Sequence, residues 1–250
     1  MRVGIICAGD KEVAPFLPII CECKTTEKAM LKFYEGTISD VEVVVLFSGV
    51  CKVNAAIATQ ILIDTYHVNI IINAGTAGGM NCELEIFDTV ISTEVAYHDV
   101  APNILTEFHP WLESVYFKAD KELIGLTQKA VGKIDMASKV YWGRMVTGEA
   151  FIEDDGRQKI NDLFTPLTVD METASIAHVC YVNSIPFISI RSVTDDNLGD
   201  SWIVPIISVG NTFSWQKYGN RYSLRSRQYH PVLPVLLYCG IHLCCLSADT

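Results

Sequence analysis

Apolar residues along this chain follow two alternating rhythms. Short apolar runs at Arg2–Cys7, Val41–Phe47, Val68–Asn73, Asp88–Glu94, Val140–Val146, Leu167–Val169 and Pro186–Val193 predict buried strands. Between some of them the period lengthens to helical spacing, over Lys52 to about Tyr66, over Lys118–Lys133, and where Ala174, Ala177, His178 and Tyr181 recur. A short helix is predicted near Val13 with Pro15 in its first turn. Phe33–Gly36 adds a strand joined to Val41–Phe47 by a turn at Ser39–Asp40. Strands alternating with helices predict one α/β domain with a mostly parallel sheet wrapped by helices.

In such sheets ligands sit beyond the carboxyl ends of the strands. Glu12, Thr76, Phe151, Glu172 and Asp195 all fall just past a predicted strand. Three acids, a hydroxyl and an aromatic on one edge make a small acidic pocket suited to a neutral ligand. Each residue also has an ordinary reading. Glu172 opens a helix, where the dipole favours an anion, and Phe151 is as well explained by core packing as by stacking on a flat ligand. Ala74–Gly79 holds three glycines, which let the backbone come close to a ligand or form a tight, φ-positive turn. His98-Asp99 lacks a companion serine or cysteine nucleophile motif, which favours a structural role or one at the ligand's edge. Arg191, inside a predicted strand, requires a carboxylate partner.

Composition narrows the partners. The 250 residues are half hydrophobic and carry a formal charge of -10, without the clustered basic face that nucleic acid requires. Nine scattered cysteines and a weakly charged Met1–Cys7 segment predict reduced thiols in a cytoplasm. The longest apolar run, Val232–Leu246, falls short of the ~20 residues needed to span a bilayer.

The ordered motifs resemble those of the 5′-methylthioadenosine/S-adenosylhomocysteine nucleosidases of the nucleoside phosphorylase superfamily. They are Gly4-Ile5-Ile6 with Glu12-Val13, Ser48-Gly49-Val50 with Lys52-Val53-Asn54-Ala55, Asn73–Gly79, Tyr97-His98-Asp99, Thr147–Ile152, Val169–Ala174, and Arg191 with Thr194-Asp195. The resemblance implies a three-layer fold with a central mixed, mostly parallel sheet. It also implies a homodimer, a small-molecule nucleoside substrate, no cofactor or metal, and a place in methionine salvage.

The roles it implies are specific. Asp195 helps protonate N7 of adenine, which needs a proton held or shared in a secluded site. Glu172 holds the ribose hydroxyls and faces the growing ribosyl cation, and Glu12 positions and activates water. Phe151 stacks on adenine and the Ile152 backbone reads its edge. Met171 contacts the ribose, Thr76 and Gly78 line the pocket, and Arg191 holds a carboxylate, most simply Glu12.

Phosphorylases of the superfamily need cationic side chains for their anionic nucleophile. Between Val3 and Gly143 there is no arginine, which favours hydrolysis over phosphorolysis. A nucleoside-binding member of the fold without turnover is the non-enzymatic alternative. Cys51 and Phe87 stand where relatives carry glycine. Residues 1–196 are expected to form the nucleosidase-like domain, with 197–250 an atypical tail of the same domain. The tail has two acids against four basic residues and is interrupted by Pro205, Pro231 and Pro234. It reads either as a shifted reading frame with poor order or as a divergent terminus.

Overall fold

Residues 1–133, 138–152 and 154–195 are described by a computed structural model. In chain order the elements are β1 (Arg2–Cys7), α1 (Asp10–Val13), a 3-10 turn (Leu17–Ile19), β2 (Cys21–Lys28), β3 (Leu31–Ile38), β4 (Val41–Phe47) and α2 (Lys52–Tyr66). There follow β5 (Ile70–Gly79), β6 (Thr89–Tyr97), α3 (Ile104–Glu107), β7 (Phe117–Lys118), α4 (Lys121–Val131) and β8 (Val140–Thr147). The last are α5 (Asp154–Phe164), β9 (Thr168–Asp170), α6 (Thr173–Val182) and β10 (Phe187–Asp195).

The chain is a mixed α/β fold on one sheet, with strand order β10-β6-β8-β9-β5-β1-β4-β3-β2 and β7 on β6. Since β10 also pairs β5, the strands β5, β10, β6, β8 and β9 close into a ring, and β1 to β4 extend from it as a ribbon. Among the described residues five pairings are parallel and five antiparallel. The sheet is therefore mixed as expected, but evenly so rather than mostly parallel. Short β9 runs antiparallel to β5 yet parallel to β8, and that reversal lets the sheet curl shut.

Period-two alternation splits the core between two faces. Val3, Ile5 and Cys7 of β1 pack with Val43, Val45 and Ile72 on one face. Ile6, Val44, Leu46 and Ile71 face the other way, under Leu62 of α2 and Ile176 of α6.

Several boundaries differ from expectation. Pro15 lies just beyond α1 rather than within it, following a C-cap residue, Ala14, that still holds helical angles (φ -51°, ψ -38°). The glycine-rich segment is no turn, for β5 runs on to Gly79. β2 escapes the apolar pattern because nearly all of it is exposed, and α5 is an additional helix. The tail 197–250 lies outside the described residues.

Candidate active site

At Gly75, inside β5, a Cβ would lie 2.6 Å from Glu12 Oε1 and 2.7 Å from Arg191 Nη1. Only glycine lets both charged groups approach the strand this closely, and this close approach explains the residue. Glu12 is buried with both oxygens clasped. Oε2 accepts the N–H groups of Ala8 (2.7 Å) and Gly9 (3.1 Å), and Oε1 accepts the Thr76 N–H (2.8 Å) and hydroxyl (2.9 Å). Four donors fix one carboxylate in one orientation.

The β9–α6 corner supplies a second acidic centre. Glu172 is the N-cap residue of α6, but its side chain makes no capping bond. Asp170 takes that role instead, its Oδ1 accepting the N–H groups of Glu172 (3.1 Å) and Thr173 (2.9 Å). Glu172 is thereby released to reach across the fold. Its Oε1 accepts the N–H of Cys51 at 3.0 Å, and its Oε2 lies 3.4 Å from Arg191 Nη2.

Arg191 is completely buried and does hold carboxylates, but its ion-pair partners are Asp170 and Glu172 rather than the expected Glu12. Its Nε lies 3.4 Å from Asp170 Oδ2, near enough for Coulombic pairing but not aligned as a hydrogen bond. The guanidinium donates to the Thr76 carbonyl (3.0 Å) and the Thr173 hydroxyl (3.1 Å). The single proton of the Thr173 hydroxyl lies within reach of both Asp170 and Asn73 Oδ1 (2.8 Å), and the latter accepts from Ser189 (2.9 Å). A buried, hydrogen-bonded network therefore backs the two acids.

Burial is the largest influence on Glu172 and pushes its carboxyl up to about 7, with Asp170 adding to the rise. Arg191 opposes this but is shared. Burial works against the charge on Arg191, yet Asp170, Glu172 and Glu12, in that order, outweigh it and hold Arg191 above its ordinary range. The opposite tendencies of the two partners are compatible because one cation serves three acids.

The remaining predicted residues stand at or near this edge. Asp195 ends β10 with its backbone opposite Gly78, and its side chain lies outside the described structure. Gly78 also pairs Val169, so that residue gathers the ends of β9 and β10. Thr76 and Met171 are half-buried. Phe151 is 90% exposed, which rules out core packing. Its neighbour Ile152 packs against the cluster of Met80, Val146 and Phe164. Asp99 does not orient His98, because its carboxylate is bound by Lys52 Nζ at 2.9 Å.

This layout can be set beside known proteins. The model of the phosphorylase superfamily matches residues 2–204. The 5′-methylthioadenosine/S-adenosylhomocysteine nucleosidase of Bacillus subtilis is 37% identical over 200 residues, covering 78% of this chain and 86% of that one. The chain belongs to this nucleosidase family within the phosphorylase superfamily. The nucleosidase of Colwellia psychrerythraea, solved in complex with adenine, superposes with a TM-score of 0.72 at 35% identity over 78% of this chain and 83% of that one. The Neisseria meningitidis nucleosidase, solved with methylthio-immucillin-A, gives 0.73 at 32% identity over 78% and 86%.

Against that family background, two contributors escaped the sequence reading. The Cys51 N–H is a backbone group with no signature of its own, and Cys51 adopts φ 83°, ψ 162°, a conformation suited to glycine. Asp170 carries no role of its own in the Val169–Ala174 motif, although the Asp-x-Glu spacing beside a strand-borne arginine is a signal for its claim on Arg191.

Proposed function

We infer that this protein hydrolyses the N-glycosidic bond of 5′-methylthioadenosine, S-adenosylhomocysteine or both, releasing adenine and the 5′-thio-substituted ribose, in methionine salvage. The observation that carries the reading is the clasped carboxylate of Glu12 beside the Arg191-bridged pair of Asp170 and Glu172. A carboxylate held in one orientation can take a water's proton when one of its four donors, most simply the rotatable Thr76 hydroxyl, turns away and frees a lone pair. A phosphate at the same place would meet three acids around a single cation already engaged by them.

Glu12 orients and deprotonates the attacking water. Glu172, when ionised, accepts hydrogen bonds from the ribose hydroxyls and faces the cation that develops at the sugar, an attraction strongest in the transition state. Asp195 delivers a proton to N7, so that adenine leaves neutral. Phe151 stacks on the base, Ile152 reads its edge through the backbone, and Thr76, Gly78 and Met171 shape the ribose side. Arg191 keeps Glu172 in place.

The functional unit is residues 1–196, a nucleoside phosphorylase-like three-layer domain, with 197–250 a continuation of it. The enzyme works as a cytoplasmic homodimer. Support for the dimer comes from exposed Val53 and Ile57, one turn apart on α2, and exposed Tyr181 and Val182 on neighbouring α6. No helix among the described residues is long and apolar enough to cross a membrane.

Incubation with 5′-methylthioadenosine, with and without phosphate, tests the reaction. Adenine release at the same rate in both is expected. Strict dependence on phosphate would establish a phosphorylase, and tight binding of an adenosine analogue without release would establish a binding protein.

A further inference from the structure

We infer that Lys52, Asp99 and Glu149 form a closed ring of contacts that positions the Cys51 N–H against Glu172 and the Phe151 loop over the base. The inference rests on the nucleosidase reading and assigns a task to the His98-Asp99 motif, which the chemistry leaves unused. Lys52 Nζ binds both oxygens of Asp99 at 2.9 Å. Asp99 Oδ2 accepts the Glu149 N–H at 3.0 Å, and Glu149 Oε1 accepts the Lys52 N–H at 3.0 Å. Three elements are thereby joined: the start of α2, the end of β6 and the loop after β8.

Helix N-termini expose unpaired N–H groups, and the two at the start of α2 are divided. Lys52 gives its N–H outward to Glu149, while Cys51 gives its own inward to Glu172 at 3.0 Å. The Lys52 carbonyl accepts the Ser175 hydroxyl at 2.6 Å, which fastens the same point to the first turn of α6, just past Glu172. Lys52 Nζ also lies 5.3 Å from the centre of the Tyr97 ring. Side-chain exposures of 21% and 28% set the Lys52–Asp99 pair apart from the fully solvated ion pairs that contribute little.

Phe151 is nearly all exposed, and among the described residues its loop is also held by the Gly148 N–H on the Asp170 carbonyl (3.1 Å) and by Ile152, which packs against Met80, Val146 and Phe164. These three residues are positioning residues, not catalytic ones.

The test uses Asp99→Asn and Lys52→Met, with Lys52→Arg as the conservative rescue and Lys139→Met, which breaks the solvent-exposed pair with Glu85, as control. The charged and titratable groups facing Glu172 are Arg191 from β10, Asp170 from β9, Glu12 from α1 and the Cys51 thiol, and none of them is altered. Both test variants are expected to lose about tenfold in kcat/KM for 5′-methylthioadenosine, the cost of a small misplacement. The acid limb of the profile should move to higher pH, because the Cys51 N–H favours the charged form of Glu172. Lys52→Arg should recover most of the loss. Amide exchange at Cys51 and Lys52 should quicken about tenfold in Asp99→Asn, a readout that does not depend on turnover. Unchanged exchange with an unmoved acid limb overturns the inference, even if activity falls. A parent that releases no adenine counts against the nucleosidase reading, and exchange still decides whether the ring positions Cys51.

Discussion

Glu12 Oε1 accepts both the backbone N–H and the hydroxyl of Thr76, at 2.8 and 2.9 Å. With Ala8 and Gly9 donating to the other oxygen, every neighbour of this carboxylate is a donor. Glu12→Gln turns one oxygen into an NH2 that meets two donors whichever way the amide is flipped. The variant should lose about 100-fold or more in adenine release and about 1–3 kcal/mol in stability. Analogue binding by calorimetry and a urea midpoint separate the two effects.

Stability and activity should respond to pH in opposite directions through Glu172. Its folded-state carboxyl is raised from 4.5 to about 7. Below about pH 4.5 it is protonated folded or unfolded, and its contribution to stability is fully present; the contribution is lost as pH rises through about 7. The loss should be on the order of 1–3 kcal/mol relative to Glu172→Gln, which lacks this titration. The ribose-holding role proposed for Glu172 needs the ionised form, so adenine release should rise over the same interval. Denaturation midpoints and kcat/KM of parent and variant between pH 4.5 and 8 check both, and parallel stability curves would sink the assignment.

Phe151→Ala should leave stability within about 0.5 kcal/mol, since the ring is nearly all in solvent. KM for 5′-methylthioadenosine should rise about tenfold or more, the worth of a lost base–aromatic stack. An unchanged KM would remove Phe151 from the base site.

Cys51→Gly should stabilise the protein. The residue stands at φ 83°, ψ 162°, strained for any side chain, while its functional group is the backbone N–H that glycine retains. A gain of about 1 kcal/mol with adenine release preserved is expected from thermal melting and steady-state rates. A loss of stability would mean that packing of the thiol outweighs the backbone strain.

Much of this architecture can be read from local pattern. α2, apolar on most sides, reads as a helix by its length, while β1, β4 and β10 announce themselves through β-branched runs and α4 through helical period. β2 does not, because its residues alternate between water and water. α5 begins with a polar, glycine-containing turn, although Ile160 and Phe164, both buried and four residues apart, carry its apolar stripe. Gly75 and Gly78 resemble turn formers in isolation, and only the approach of Glu12 and Arg191 explains a glycine within a strand. The acids were legible as strand-edge residues. Which acid holds which cation was not, because it depends on contacts between segments far apart in the chain.

The closure of the sheet ring also sets an order of events. β10 is the last of the described strands to be synthesised, yet it fills the gap between β5 and β6, pairing with residues 99 to 117 positions earlier. Pairing over such separations is slow, since the loop must close before any contact rewards it. Until β10 has left the ribosome, β5 and β6 present open edges able to capture another chain, and Asp170 and Glu172 lack their common cation. Nascent chains halted before residue 187 should therefore be both inactive and sticky, so the step that assembles the catalytic centre is also the one that seals the barrel.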